Sequence, residues 1–76
     1  MLFLIEYDRV DGRLVALTTF GDSDQRVAEQ ARLNLELDLN RRGLDREVDL
    51  LKAATEAAMR VTHRRYFETG QQLVDR

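Results

Sequence analysis

The first twenty residues place apolar side chains in two runs separated by a turn signal. The runs Leu2–Asp8 and Arg13–Phe20 are rich in Leu, Phe, Ile, Val and Thr, and the dipeptide Asp11-Gly12 lies between them. β-Branched and aromatic residues favour strands, and Asp-Gly is among the strongest short signals for a two-residue hairpin turn. The pattern therefore predicts two antiparallel strands joined by a tight turn.

A two-residue turn also fixes which side chains share a face of the hairpin. One face then carries Phe3, Ile5 and Tyr7, and we expect this face to contact the helices. The other face presents four apolar residues: Leu2, Leu4, Val15 and Leu17. Because contiguous exposed apolar patches often mark interfaces, these four residues are candidate contacts for a partner.

A helix is predicted next, because apolar residues recur at helical spacing after a cluster of capping residues. Asp22 or Ser23 suits the N-cap position. The helix is expected to end at Arg42, since Gly43 suits the position just after a helix. Its core-facing stripe comprises Val27, Ala28, Ala31, Leu35 and Leu39.

The segment from Leu33 to Leu39 also supports a second interpretation. Leucine alternates with polar residues there, which is the period of a strand. We favour the helix because Leu, Glu and Arg are good helix formers, and a strand over 33–39 remains the alternative. In a helix, Leu33 and Leu37 lie on the side away from the core stripe, so we add them to the candidate interface.

The last third of the chain predicts a strand followed by a second helix. Glu47–Ala53 has strand character, Thr55 resembles an N-cap, and a helix is expected over Glu56–Glu68. Residues 1–70 are therefore expected to form one compact domain, and residues 71–76 a C-terminal tail.

The order of predicted elements, β-β-α-β-α, limits the possible folds. A helix that joins the second and third strands makes these two strands run in the same direction. Placing the most apolar strand in the centre gives a three-stranded, mainly antiparallel sheet of order 2-1-3. We expect an α+β fold, a two-layer sandwich with both helices on one face of the sheet.

Composition limits the classes of function. The 76 residues carry 12 basic and 14 acidic side chains, whereas nucleic-acid-binding domains usually show a basic excess. The chain has no cysteine, which excludes disulfides and thiolate metal sites and is compatible with the cytoplasm. No apolar run reaches the ~18–20 residues of a membrane span. We therefore expect a cytoplasmic protein with no membrane partner.

No pattern in the chain predicts catalysis or cofactor binding. His63 is the only histidine, and a general base needs a reacting group and an orienting partner that no motif supplies. The run Asp22-Ser23-Asp24 has too few ligands for a calcium loop and is better explained by helix capping. We expect no enzyme activity, no metal site and no cofactor.

Two functions remain open at the level of sequence. The excess of apolar surface favours a small non-enzymatic module that self-associates, most simply as a homodimer, or that binds another protein. The alternative is a small nucleic-acid-associated regulator that uses two arginine pairs late in the predicted helices: Arg41 with Arg42, and Arg64 with Arg65. The net charge of −2 makes nucleic acid the less favoured partner.

Overall fold

The structure, a computed structural model, describes residues 1–68. Its elements are β1 (Leu2–Asp8), β2 (Arg13–Phe20), α1 (Gln25–Arg42), β3 (Glu47–Lys52) and α2 (Glu56–Thr62). Short 3₁₀ turns precede α1 at Asp22–Asp24 and follow α2 at Arg64–Tyr66. The tail predicted at 71–76 lies outside the described residues.

The sheet has three strands in the order β2-β1-β3, and β1 pairs antiparallel with both neighbours. The α+β class, the order of elements and the strand order 2-1-3 are confirmed. β1 takes the central position because its residues from Leu2 to Glu6 are all buried, which only a strand with cover on both faces achieves.

The prediction of a two-residue hairpin turn is wrong. Asp8 pairs with Arg13, so four residues form the loop instead of two. The Asp8 carboxylate accepts hydrogen bonds from the backbone N–H groups of Val10 (2.9 Å) and Asp11 (3.2 Å), and the Asp8 carbonyl accepts from Gly12 N–H (2.8 Å). An Asp side chain that bonds the backbone ahead of it stabilises such a turn locally. These bonds hold the pKa of the Asp8 carboxyl below its ordinary value.

The longer loop moves the β1–β2 pairing by two residues, which leaves each side chain on its predicted face, and a β-bulge then exchanges the faces of Ala16–Phe20. The register also shifts once between Glu6 and Tyr7, so that Glu6 opposes Ala16 and Tyr7 opposes Leu14. Val15 is the extra residue of this β-bulge, which bends and twists the strand. Ile5 now opposes Leu17, so Leu17 shares the face of the core instead of the face away from it.

The two helices cover opposite faces of the sheet, and this differs from the expected arrangement with both on one face. Met59 of α2 and Tyr66 pack with Phe3 and Ile5 in one buried cluster. The opposite face is covered by α1, which contacts β1 and β3 and buries Ala28 and Leu39. The physical reason is the continuous apolar run at the start of β1, which is typical of a strand that must be buried on both sides.

An ion pair anchors the α1 side of the sheet. Glu6 is buried in the middle of β1, and its carboxylate accepts a hydrogen bond from Arg46, in the segment between α1 and β3. Carboxylates are rarely buried without a partner, because the loss of hydration has to be offset. Arg46 therefore allows a charge within the buried stretch of β1, which is otherwise apolar.

The segment over 33–39 is helical, as favoured, and the strand alternative is wrong. α1 ends at Gly43, whose φ of 68° is left-handed, and Leu44 N–H donates to the Leu39 carbonyl (2.9 Å). This is the geometry of a glycine-terminated helix. One residue of the expected core stripe is misplaced, since Val27 is exposed. The second helix is also shorter than predicted, because a 3₁₀ turn replaces its last part.

The hairpin loop generates a test of this description. Gly12 has a φ of 67°, so Gly12→Ala should lower the free energy of unfolding by about 1–2 kcal/mol, the cost of a left-handed conformation for a residue with a Cβ. Gly21 has a φ of −70°, and Gly21→Ala is the matched control, expected within about 0.5 kcal/mol of the wild type. Urea unfolding measures both. Equal stability of the two variants would contradict the loop conformation.

Candidate functional site

The six residues predicted as an interface lie in three different environments. Leu2 and Leu4 are each only 6% exposed beneath α1, so their expected exposure is wrong. Leu17 packs against the core cluster on the α2 side. The exposed members are Val15, Leu33 and Leu37. The single apolar sheet face inferred from the sequence therefore does not exist, because the hairpin register differs and a helix covers each face.

The outer edge of β2 is an open backbone surface of eight residues, longer than the six-residue β3 at the other edge of the sheet. Within residues 1–68, β2 pairs with β1 alone, and no loop or turn hydrogen bond reaches its backbone. An edge strand presents a row of unpaired N–H and C=O groups that another strand can join. Val15, which is 40% exposed, lies within this edge strand.

The two edges of the sheet differ in charge. β2 has no charged residue from Leu14 to Phe20, whereas β3 carries Glu47, Asp49 and Lys52. Natural proteins often protect edge strands with charged side chains, which oppose pairing with another chain. Between Leu14 and Phe20, the bulge at Val15 is the one such protective feature. The β2 edge is therefore the more suitable of the two for strand pairing.

Leu33 and Leu37 form a second, smaller apolar surface on α1. They are 49% and 51% exposed and lie one helical turn apart, on the side away from Ala28 and Leu39. This confirms the predicted geometry of the pair. Two half-exposed leucines make a small patch, and scattered surface leucines are common in monomeric proteins.

A polar cluster that the sequence analysis did not predict lies beneath α2. The buried Tyr66 hydroxyl contacts two carboxylates of β3, Glu47 Oε2 at 2.8 Å and Asp49 Oδ2. Arg65 Nη2 donates to Glu47 Oε2 (2.5 Å) and to Tyr66 Oη (2.8 Å). The Tyr66 ring meets the Tyr7 ring edge to face, with centroids 5.3 Å apart, and the Arg65 guanidinium lies 4.2 Å from the Tyr66 ring centroid.

The cluster moves the pKa values of its two carboxyl groups in opposite directions. Hydrogen bonds from Asp49, Arg65 and Tyr66 lower the pKa of Glu47 from 4.5 to about 2. Burial and the neighbouring Glu47 raise the pKa of Asp49 above its ordinary value. Burial and both carboxylates raise the pKa of the Tyr66 phenol, which keeps it a hydrogen-bond donor. When two neighbouring carboxyl groups share a proton, the pKa of one is lowered and the pKa of the other is raised, as observed for Glu47 and Asp49.

Only the two acids of this cluster could be predicted from a pattern in the sequence. Glu47, Asp49 and Leu51 alternate on β3, and two acids on the face that carries an apolar residue indicate an inward-facing polar site. Tyr66 lies 17 residues beyond Asp49, and no local spacing predicts that the two meet. The encounter depends on how α2 folds back over the sheet.

The four arginines of the alternative hypothesis do not form one surface. Arg41 and Arg64 are exposed, Arg42 pairs with Asp38 (2.9 Å) on the same helix, and Arg65 is held in the Tyr66 cluster. Arg41 and Arg42 end the helix that covers one face of the sheet, whereas Arg64 and Arg65 follow the helix on the other. The structure therefore divides the predicted basic residues between separate environments.

Two further features of the described residues bear on ligand binding. His63 is partly buried, with its ring centroid 6.5 Å from that of Tyr66. A shallow cavity of about 200 Å³ lies where the C-terminal half of α1 meets the start of β3, with Leu39, Asn40 and Arg46 in its lining.

Among residues 1–68, no three His, Cys, Asp or Glu side chains are placed to hold a metal ion. Neither helix of this described part is long and apolar enough to cross a membrane.

Comparison with known proteins finds no relative of this chain. No protein family, no curated protein and no solved structure matches the chain.

The Tyr66 cluster generates a stability test with a defined pH dependence. Glu47→Gln should lower the free energy of unfolding near neutral pH by about 1–3 kcal/mol, because it removes the charge to which Arg65 and Tyr66 donate. A lowered pKa means that ionised Glu47 stabilises the fold above about pH 4.5, and that this contribution is lost as the pH falls toward 2. The difference between variant and wild type should therefore narrow on acidification.

Urea unfolding at neutral pH and at about pH 3 measures this difference. Glu36→Gln is the matched control, because Glu36 is exposed and pairs with Arg32 at 3.6 Å on the surface of α1. Its effect should stay below about 0.5 kcal/mol. A Glu47→Gln effect as small as that of the control would show that the cluster does not stabilise the fold.

Proposed function

We propose that this protein is a non-enzymatic self-association module, in which β2 pairs with β2 of a second copy to form a homodimer. The observation that carries the proposal is the uncharged outer edge of β2 from Leu14 to Phe20, with β1 as its one strand partner within residues 1–68. Antiparallel pairing of two such edges makes one continuous six-stranded sheet and satisfies the open backbone groups of both strands.

A second copy suits this edge because β2 is complementary to itself about a twofold axis. Arg13 begins the strand, whereas Asp22 and Asp24 follow its other end. Antiparallel pairing therefore brings a positive end next to a negative end at both ends of the ribbon. Opposite charges placed in this way favour one orientation of the partner.

The size of the chain gives a further reason for assembly. A domain of this length buries roughly 60% of the surface of its unfolded chain, which leaves it marginally stable, and a partner subunit is one of the usual remedies. The chain has no cysteine, so disulfide bonds do not contribute. We place this assembly in the cytoplasm, which suits a chain without cysteine.

The test uses paired charges on Ala16 and Thr18, which are exposed and share one face of β2. A chain with Ala16→Lys and Thr18→Lys should be monomeric, and so should a chain with Ala16→Glu and Thr18→Glu, because like charges oppose pairing. An equimolar mixture of the two should form a dimer. Light scattering at several concentrations measures the molar mass in each case.

Two controls define what would overturn the proposal. The uncharged variant Ala16→Thr with Thr18→Val should remain dimeric, since β-branched residues suit a strand. Leu33→Glu with Leu37→Glu should also remain dimeric. A wild type that stays monomeric at every concentration rejects the proposal, and loss of the dimer through the leucine substitutions assigns the contact to α1 instead.

The alternative function, a nucleic-acid-associated regulator, has weaker support. It rests on exposed Arg41 and Arg64, because Arg42 and Arg65 already contact acidic side chains. It predicts binding to short DNA or RNA at low salt that weakens as salt is added. Absence of any mobility shift at low salt removes this alternative, and a shift lost in Arg41→Gln with Arg64→Gln supports it.

A further inference from the structure

We propose that Glu47 and Asp49 share one proton beneath Tyr66, and that this proton is a pH-sensitive latch holding α2 and its 3₁₀ turn on the sheet. This conformational device is independent of dimer formation at the β2 edge. Its effect is a change in how often the segment 55–68 opens from the rest of the fold.

The geometry of the cluster requires a proton beyond the one that Tyr66 supplies. The hydroxyl has a single proton, yet oxygens of both Glu47 and Asp49 lie within hydrogen-bonding reach of it. Arg65 donates to Glu47 and to the phenol oxygen. If Tyr66 donates to one carboxylate, its contact with the other carboxylate joins two oxygen atoms with no proton between them. A proton on one of the acids removes this conflict.

Asp49 is the acid that holds the proton. Glu47 receives the guanidinium of Arg65 and is therefore the better place for the negative charge. No ion pair joins Asp49 to a basic side chain among the described residues, and its contacts are the phenol and the neighbouring acid. With Asp49 protonated, Asp49 donates to the Tyr66 oxygen and Tyr66 donates to Glu47, so that each of the two contacts of the hydroxyl holds one proton.

The titratable groups that face this site come from each element packed around it. β1 contributes Tyr7, whose ring meets Tyr66, and β3 contributes the two acids. The segment after α2 contributes Tyr66, Arg65 and His63. His63 is another ionisable side chain next to the Tyr66 ring, and the experiment has to separate its effect from that of Asp49.

The direction of the effect follows from linkage. Asp49 has a raised pKa in the docked state, so the docked state binds the proton more tightly than the open state does. Docking is therefore favoured at acidic pH and weakens as the pH rises through the docked pKa of Asp49. Glu47 acts oppositely and weakens docking only as the pH falls toward 2, so the latch holds best at mildly acidic pH.

Opening of the latch uncovers apolar surface. Met59 and Tyr66 cover Phe3 and Ile5, and both residues move with the segment that the latch holds. Partial deprotonation therefore raises the population of a state in which one face of the sheet is exposed. Local opening of this kind is measured by hydrogen exchange.

The experiment is amide hydrogen exchange of the full chain between about pH 4.5 and 8, expressed as protection factors so that the intrinsic pH dependence of exchange is removed. Protection of amides in residues 56–67 should fall about tenfold for each unit by which docking raises the Asp49 pKa. Amides of α1 serve as the internal reference and should not follow this change. In Asp49→Asn, which keeps a donor in place of the protonated carboxyl group, the pH dependence should disappear.

Two control variants and a direct titration keep the test decisive. Asp45→Asn removes an exposed acid that pairs with Arg9 at 3.3 Å, and it should retain the wild-type pH dependence. His63→Gln should retain it as well. Any one of three results overturns the latch. Protection of residues 56–67 does not vary with pH, or protection in α1 varies equally, or the pH dependence is lost in His63→Gln. If Asp49→Asn does not fold, the proposal is tested by an NMR titration of the Asp49 carboxyl in the wild type. A midpoint at the ordinary pKa of an aspartate side chain also overturns the proposal.

Discussion

The structure depends on one strand that is apolar on both of its sides. Phe3 and Ile5 of β1 point to α2, and Leu2 and Leu4 point to α1. Burial of such side chains is the main favourable contribution to folding, at roughly 25 cal/mol per Å² of apolar surface. A strand of this kind can lie only between two covering layers, so it sets both the central position of β1 and the separation of the helices. The molecule measures 40 × 33 × 12 Å, and its smallest dimension matches the width of three paired strands.

The elements of this fold could be predicted from the sequence more fully than their faces. Hydrophobic period, capping residues and Gly43 define the strands and α1, and the apolar character of β1 gives the strand order. The length of the hairpin loop could not be predicted from Asp11-Gly12 alone, because the Asp8 carboxylate accepts hydrogen bonds from the loop backbone and so stabilises a four-residue loop. A change of two residues in the loop keeps the faces of the strand, whereas the one extra residue at the Val15 bulge exchanges them. The bulge, which no local pattern predicts, therefore explains why Leu17 lies in the core and not on the predicted surface.

The candidate sites show the same division between local and tertiary information. The predicted strand order 2-1-3 already places β2 at an edge of the sheet, so the open edge could be predicted. The apolar residues of the hairpin instead suggested that the interface was a face of the sheet. The Tyr66 cluster needs α2 to return over β3, and a helix of seven residues followed by a 3₁₀ turn gives no local sign of that path. Its polar groups are nevertheless arranged so that buried oxygens have donors, which is the usual requirement for polar atoms in a protein interior.

The bulge at Val15 has a consequence for how this fold can vary among sequences. Val15 is an extra residue between two stretches of regular pairing, Leu2–Glu6 with Ala16–Phe20 and Tyr7–Asp8 with Arg13–Leu14. A chain that lacks one residue at this place could close the gap in the ladder and keep every other β2 side chain on its present face. A one-residue gap opposite Val15 in an alignment is therefore compatible with the same fold, whereas a gap elsewhere in β2 would exchange the two faces of part of the strand.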